Sequence, residues 1–164
     1  MFYNLKRVRE EYEFSQRETA RRLKISKSSY NYYETGEYII SLKHLNDFCN
    51  VFHVSMDYVT GLSNVNNHST KSYKLNSKIV GMRIKKIRNK KKLTQEELAE
   101  VLNTSQSNVS AYENGKTIIL TAFAYTLAKT YNISLDYIVG RSNTIKIARK
   151  KWFFFFFFSL NKIQ

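Results

Sequence analysis

The side chains that most often carry out catalysis or bind metals are few in this chain, and their spacing suits neither task. A single cysteine, Cys49, excludes an internal disulfide and a cysteine-rich zinc site. His44, His53 and His68 show none of the short spacings that metal ligands need. No phosphate-binding loop and no nucleophile with a placed base occur in the 164 residues. The sequence therefore predicts a protein that is not an enzyme and that uses no metal or cofactor.

The chemistry that remains is that of basic and hydrogen-bonding side chains. The chain carries 27 Lys and Arg against 13 Asp and Glu, a formal net charge of +14. Its hydrophobic fraction of 43% is enough for packed cores, so the excess charge lies on a folded surface or in tails. A polyanionic partner is the first expectation. The charge is uneven, because residues 1–66 have a net charge of +1 and residues 79–142 one of +5.

An internal repeat decides which elements position these side chains. At an offset of 79 residues, 5–63 aligns with 84–142 without a gap, and 18 of the 59 positions are identical. A repeat of about 60 residues has the size of a minimal domain with its own core, whereas solenoid repeats are usually shorter. We predict a first unit (residues 1–63), a polar linker (64–77), a second unit (78–142) and a tail (143–164).

Apolar spacing and capping residues predict five helices in each unit. Residues 15–18 and 94–97 have the S/T-x-x-E pattern of a capping box, which marks the start of the second helix. Ser26 and Ser105 are N-caps of the third helix, and a glycine follows its end in both units. The fifth helix begins at Ser55 or Ser134. Its first turn carries Asp57 or Asp136, where the helix dipole favours a carboxylate.

These motifs occur together and in a fixed order. The second unit has T-Q-E-E-L-A, a three-residue turn, a helix ending in Y-E-N-G, and then S-L-D-Y-I-V-G. In this combination the chain resembles the Cro/repressor-type helix-turn-helix family, also called the xenobiotic response element (XRE) family. The resemblance extends over residues 5–63 and 84–142 and is looser in the first unit. It implies an all-α fold of two tandem five-helix, lambda-repressor-like domains, followed by an irregular or helical C-terminal tail.

The resemblance implies that the third helix of such a domain lies in the major groove of double-stranded DNA. Carboxamides there can pair with adenine, and a lysine can reach guanine or a phosphate. Ordinary exposed polar residues are the alternative interpretation for each position. The candidates for base contacts are Ser105, Gln106, Ser107, Asn108 and Ala111 in the second unit and Lys27, Ser28, Ser29 and Tyr32 in the first.

Phosphate contacts are expected where the second helix begins and where the third helix ends. Solvated first-turn residues are the alternative. The candidates are Ser15, Gln16, Thr94, Gln95, Asn114 and Lys116. Glu37 occupies the position of Lys116 in the first unit and would repel a phosphate. We therefore expect the second unit to be the stronger DNA-binding unit.

Two charged pairs recur at the same separation. Arg9 and Glu34 are 25 residues apart, as are Arg88 and Glu113. Similar domains join these positions by an ion pair between the first helix and the end of the third. Such a pair would fix geometry more than it adds stability, because the cost of burying charges offsets much of their attraction. We interpret both pairs as structural, with an effect on function only through helix placement.

The function implied by the resemblance is a sequence-specific DNA-binding transcriptional regulator, repressor-like and cytoplasmic. The N-terminus lacks an apolar signal core, and no uncharged stretch is long enough to span a bilayer. A protein-interaction or antitoxin-like module that uses the helix-turn-helix as a scaffold is the alternative. A homodimer or a protein partner is compatible with either function. As a random coil the linker would span roughly 20 Å on average, so both units could reach adjacent half-sites. Because the units follow each other head to tail, direct repeats in the DNA are at least as compatible as a palindrome.

The basic, phenylalanine-rich tail has no counterpart in either unit. Residues 149–152 are Arg-Lys-Lys-Trp, and six phenylalanines follow. A membrane-surface or partner anchor, a segment packed on a domain, and a translated frameshift remnant are the three interpretations. The sequence favours the remnant slightly, because phenylalanine codons are T-rich and lysine codons are A-rich.

Overall fold

The computed structural model describes residues 4–67 and 70–148. Within these ranges the chain forms ten α-helices and no strand, with one isolated antiparallel bridge between Ile133 and Lys146. The predicted all-α class and the five helices per unit are confirmed. The first unit contains α1 (Leu5–Glu11), α2 (Gln16–Leu23), α3 (Lys27–Thr35), α4 (Leu42–Val51) and α5 (Met56–Val59), and the second contains α6 (Ser77–Lys90), α7 (Gln95–Leu102), α8 (Gln106–Glu113), α9 (Thr121–Tyr131) and α10 (Leu135–Val139). The prediction for the phenylalanine-rich segment falls outside the described residues.

Hydroxyl side chains cap most of the helix starts, as the sequence indicates. The two capping boxes, however, differ. Thr94 and Glu97 make both halves of the box at the start of α7. Ser15 accepts a hydrogen bond from the amide of Glu18, but the Glu18 carboxylate bonds to Arg21 and Arg22 instead of the Ser15 amide. The prediction of a complete box in the first unit is wrong, because two arginines on the same helix compete for its carboxylate.

The turn that joins the second helix to the third requires a left-handed residue in both units. Asn103 has φ 51° and Lys24 has φ 57°. Asparagine tolerates this conformation at little cost, whereas lysine adopts it against its steric preference. The turn therefore sets the direction of α3 and of α8 in the same way in both units.

Each third helix packs on a core whose composition differs between the units. Tyr30 of α3 is fully buried and stacks on Phe48, with ring centroids 6.5 Å apart. Its counterpart on α8 is Val109, also fully buried. An aromatic core thus supports α3, and a smaller aliphatic core supports α8. The buried apolar residues of both units nevertheless belong to one continuous cluster.

The predicted linker is partly anchored on the first unit. The amide of Tyr73 donates to Asn50, and the Tyr73 carbonyl accepts from the side-chain amides of Asn46 and Asn50 at 2.7 and 2.8 Å. The guanidinium of Arg141 stacks over the Tyr73 ring, 4.8 Å from its centroid. At Tyr73 the chain between the units is therefore held in place and differs from a random coil. No helix in the described part of the chain has the length and apolarity needed to cross a membrane.

Candidate nucleic-acid interface

A buried ion pair anchors α8 at its C-terminal end. Arg88 Nε lies 2.6 Å from Glu113 Oε1, and Arg88 Nη2 lies 3.0 Å from Glu113 Oε2. The Glu113 side chain is only 2% exposed. The third guanidinium nitrogen donates to the carbonyl of Leu93 at 2.8 Å, in the loop before α7. Arg88 thus joins α6, the start of α7 and the end of α8, and the hydrogen bond to Glu113 raises its pKa.

Gln95 continues this network toward the surface. Its Nε2 donates to Glu113 Oε2 at 2.9 Å, and its Oε1 accepts from Gln106 Nε2 at 2.7 Å. The first residue of α7 is therefore connected to both ends of α8. Sequence reasoning places Gln95 and Gln106 at the interface separately and does not find the bond between them. Gln95 and Glu113 recur in the first unit as Gln16 and Glu34, and this recurrence signals the bond from the glutamine to the glutamate but not the bond to Gln106.

The N-terminal half of α8 presents its polar side chains to solvent. Asn108 Nδ2 donates to Thr104 Oγ1 at 2.9 Å, and the hydroxyls of Ser105 and Ser107 are 2.8 Å apart. Short hydrogen bonds within the helix start therefore restrain these side chains. Four of the five candidates for base contacts are exposed and Ala111 is half-buried; the exposed residues are Ser105, Gln106, Ser107 and Asn108.

The first unit has the same anchor with different surface chemistry. Arg9 Nε lies 2.6 Å from Glu34 Oε1, and Gln16 Nε2 donates to Glu34 Oε2 at 2.8 Å. Burial alone would raise the pKa of Glu34, but hydrogen bonds from Arg9 and Gln16 outweigh it and keep the pKa below its ordinary value. Gln16 also donates to Asn31 at 3.1 Å. The carboxamide of Gln16 therefore points toward α3, as that of Gln95 points toward α8.

Lysine replaces glutamine on the exposed side of α3. Lys27 and Ser28 are exposed, whereas Ser29 and Tyr32 are half-buried. The Ser29 hydroxyl lies 2.8 Å from that of Ser26, and the Tyr32 ring packs edge-on against Tyr38 with centroids 4.9 Å apart. These contacts leave Lys27 and Ser28 as the most accessible candidates in the first unit.

The remaining candidates for phosphate contacts surround the two helix ends. Ser15, Thr94, Asn114 and Lys116 are exposed, and the Asn114 side-chain amide donates to the Ser110 carbonyl at 2.9 Å. The two glutamines are half-buried because of their bonds to the third helices. The second unit thus offers an exposed hydroxyl, carboxamide and lysine near the start of α7 and the end of α8. The first unit has Glu37 where the second has Lys116.

The described residues offer no competing metal site. No group of three or more His, Cys, Asp or Glu side chains within residues 4–67 and 70–148 is arranged to hold a metal ion. The polar surface around α3 and α8 therefore remains the candidate site.

Comparison with known proteins agrees with this geometry. A sequence model of the helix-turn-helix family matches residues 5–59 and again residues 84–138. The chain is also 37% identical over 67 residues to the HTH-type transcriptional regulator ImmR of Bacillus subtilis (strain 168), an alignment that covers 41% of this chain and 53% of ImmR. The chain thus spans about half the length of the curated relative that it matches. Because the two family matches together cover more than half of its residues, the chain belongs to the Cro/C1-type (XRE) helix-turn-helix family, a non-enzymatic DNA-binding class.

Proposed function

We propose that the chain is a sequence-specific, repressor-like transcriptional regulator that binds double-stranded DNA and reads the major groove with α8, assisted by α3. The exposed row of side chains from Ser105 to Asn108 carries this proposal, because it stands on a helix that a buried ion pair anchors at its far end. An anchored helix with exposed carboxamides and hydroxyls is suited to contact base edges. The regulatory role of ImmR is in keeping with the proposal.

Charge supports the same surface in the second unit. Lys90 at the end of α6 and Lys91 and Lys92 after it are exposed, and Lys116 is exposed beyond α8. When a lysine binds a phosphate, the DNA releases the cations that had neutralised that phosphate, so the affinity for DNA falls as the salt concentration rises. The first unit, with a net charge near zero and Glu37 beyond α3, contributes fewer such contacts. We therefore propose that the second unit supplies most of the affinity.

The test is selection of bound sequences from a random duplex pool by the full chain, followed by titration at several salt concentrations. We expect one enriched sequence and a slope of log K against log salt of about −3 or steeper. Binding that does not depend on sequence or salt would contradict the proposal. A protein that co-purifies with the chain, together with no enriched DNA, would favour the antitoxin-like alternative. Loss of reporter repression when the enriched site is removed from a promoter tests the repressor role.

A further inference from the structure

The two units contact each other through equivalent residues. Asp57 and Asp136 are 79 residues apart and occupy the same place in the repeat. The Asp136 carboxylate accepts from the amides of Met56 and Asp57, at 3.0 and 2.9 Å, at the start of α5. The Asp57 carboxylate accepts from the amide of Leu135, at 2.6 Å, at the start of α10. Each aspartate lies in the first turn of its own fifth helix, as the sequence predicts, and its carboxylate binds the start of the other unit's fifth helix.

The serine caps explain why the aspartates are free to do this. Ser55 and Ser134 accept from the amides of Tyr58 and Tyr137, so each short helix already has a cap from its own chain segment. The aspartates then satisfy amides that the serines leave unbonded. Both carboxylates are buried, with Asp57 5% and Asp136 7% exposed.

A second contact lies beside the segments that follow the third helices. The Thr121 hydroxyl donates to the carbonyl of Ile40 at 2.7 Å, and both groups are buried. Residues 39–43 and 118–122, which are equivalent in the repeat, face each other across a cavity of about 370 Å³. Ile40 lies five residues beyond the end of α3, and Thr121 lies eight beyond the end of α8. The segments that follow α3 and α8 thus both lie at the contact between the units.

The pattern of these contacts defines a symmetry. When a residue of one unit meets the equivalent residue of the other, and the bonds run in both directions, the interface is isologous and the units are related by an approximate two-fold axis. A head-to-tail arrangement would join different surfaces instead. The order of the units along the chain is head to tail, but their packing is two-fold. The bases of a duplex also have two-fold symmetry when the site is an inverted repeat.

We propose that one chain acts as an intramolecular dimer, which places α3 and α8 on the two halves of an inverted repeat. This inference rests on the proposed function and adds the geometry of the DNA site. The half-sites differ, because Lys27 of α3 stands where α8 has Gln106, and Tyr32 stands where α8 has Ala111. The site is therefore an imperfect palindrome with one half suited to a carboxamide and the other to a lysine.

Arg141 fixes the two halves relative to each other. Its Nη1 donates to Asn46 Oδ1 at 2.8 Å and to Asn50 Oδ1 at 2.7 Å on α4 of the first unit, and its Nε lies 3.2 Å from Asp136 Oδ1. The Arg141 side chain is only 3% exposed. Its counterpart in the first unit is Leu62, so this bond exists on one side of the approximate axis. Half-site spacing is then set by this packing and not by the reach of a flexible linker.

An internal two-fold contact also determines stoichiometry. The surface of α5 that a second chain would need is covered by α10 of the same chain. One chain therefore occupies the whole inverted repeat. Two separate chains of a single-unit protein would be needed for the same task.

The experiment uses the full chain and the duplex that it enriches from a random pool. Three duplexes are compared at one salt concentration: the enriched site, the site with one half reversed so that the repeat becomes direct, and the site with five base pairs inserted at its centre. Five base pairs rotate the halves by about half a helical turn. We expect both altered duplexes to bind at least tenfold more weakly, and sedimentation to show one chain per enriched duplex.

Two matched variants assign the halves. Hydroxyl-radical footprints should lose protection in one half of the site with Lys27→Ala and in the other half with Gln106→Ala. Direct repeats bound as tightly as inverted ones, two chains per site, or both variants affecting the same half would overturn the inference while leaving the proposed function intact. Absence of any enriched duplex would instead overturn the proposed function and this inference together.

Discussion

Gln106, which we propose to contact a base, is held by a hydrogen bond in the protein alone. One of its two amide hydrogens is used in the 2.7 Å bond to Gln95, which in turn is bonded to the buried Glu113. The second amide hydrogen and the side-chain carbonyl remain for a base edge. A carboxamide held in this way loses less conformational entropy on binding than a free one. Lys27, at the same place in the first unit, is exposed and offers hydrogen-bond donors only, so it cannot accept a bond from a base.

Equivalent substitutions on α8 and α3 separate base recognition from charge. We expect Gln106→Ala to reduce affinity for the enriched site about tenfold, the effect of one base contact, without changing the salt slope. Lys27→Ala should reduce affinity less and make the salt slope shallower by about 1 if the lysine contacts a phosphate. Titration of both variants at four salt concentrations gives affinity and slope together. Equal losses with equal slopes would mean that the two positions do not differ in chemistry.

The aspartates between the units make stability depend on pH. Burial, and next the negative charge of Asp136, raise the pKa of Asp57 to about 6. Because the folded pKa lies above the unfolded value of 3.8, protonation of Asp57 favours the folded state. This stability is fully present below pH 3.8 and is lost as pH rises through about 6. Burial also raises the pKa of Asp136.

We expect Asp57→Asn to remove this contribution, since its carboxamide oxygen can still accept from Leu135 without carrying a charge. The wild-type free energy of unfolding, relative to that of the variant, should be higher at pH 5 than at pH 7 by roughly 1 kcal/mol. Urea unfolding at both pH values measures the difference. Burial lowers the pKa of His44, so the contribution of His44 to stability increases with pH, opposite to that of Asp57. This contribution is the same in both proteins and therefore cancels in the comparison. A difference that does not change with pH would contradict the prediction.

At the level of elements, the position of α8 depends on how closely α6 approaches it. Gly81 of α6 faces the end of α8, where an added Cβ would lie 2.2 Å from the Tyr112 carbonyl oxygen and 2.7 Å from that of Glu113. Only glycine fits such a distance to backbone atoms. The close crossing brings Arg88 of the same helix within reach of Glu113, which completes the anchor of the exposed row.

Gly81→Ala therefore tests whether the helix crossing positions the recognition surface. Alanine favours a helix by about 1 kcal/mol over glycine, but the clash is with backbone that cannot rotate away. We expect a net destabilisation of about 1–3 kcal/mol and at least a tenfold loss of affinity for the enriched duplex. Met82→Ala is the control, because Met82 is the next residue and is 61% exposed. Thermal unfolding and titration of both variants decide, and a stabilised Gly81→Ala with unchanged affinity would refute the expectation.

The elements themselves could be predicted because their signals are local. Serine and threonine caps, the glycines after α3 and α8 and the apolar spacing depend on residues within one or two turns. The incomplete box at Glu18 could not be predicted, because two arginines and a backbone amide compete for one carboxylate. Neither could the close approach at Gly81, which depends on a helix about 30 residues away. The bond that Asp57 makes to the other unit could not be predicted for a related reason: an aspartate in the first turn already has a sufficient local explanation on its own helix.

At the scale of the whole molecule, the repeat predicts two similar units but not how they pack. The bonds that join them connect residues about 80 to 95 positions apart and use polar side chains, which hydrophobic spacing does not reveal. Their burial has an energetic consequence. Asp136 pairs with the buried Arg141 and also accepts from two amides of the first unit, while Asp57 accepts from an amide of the second. Removing either unit therefore leaves buried polar groups without these partners. The continuous apolar cluster has the same consequence for the core.

This coupling predicts that the first and second units unfold together and that Arg141 contributes much of the free energy that couples them. We expect one calorimetric transition for the wild type, with equal calorimetric and van't Hoff enthalpies. Arg141→Leu places at this position the residue that the first unit carries at 62, and leaves the buried Asp136 without its cation. Removing one partner of a buried pair costs about 3–5 kcal/mol, so the unfolding transition of this variant should shift markedly downward or divide into two.

Arg17→Leu is the control, since Arg17 is exposed on α2 and its replacement should change stability by less than about 0.5 kcal/mol. Two transitions in the wild type, or equal shifts in both variants, would show that the units fold independently and that the contact between them adds little.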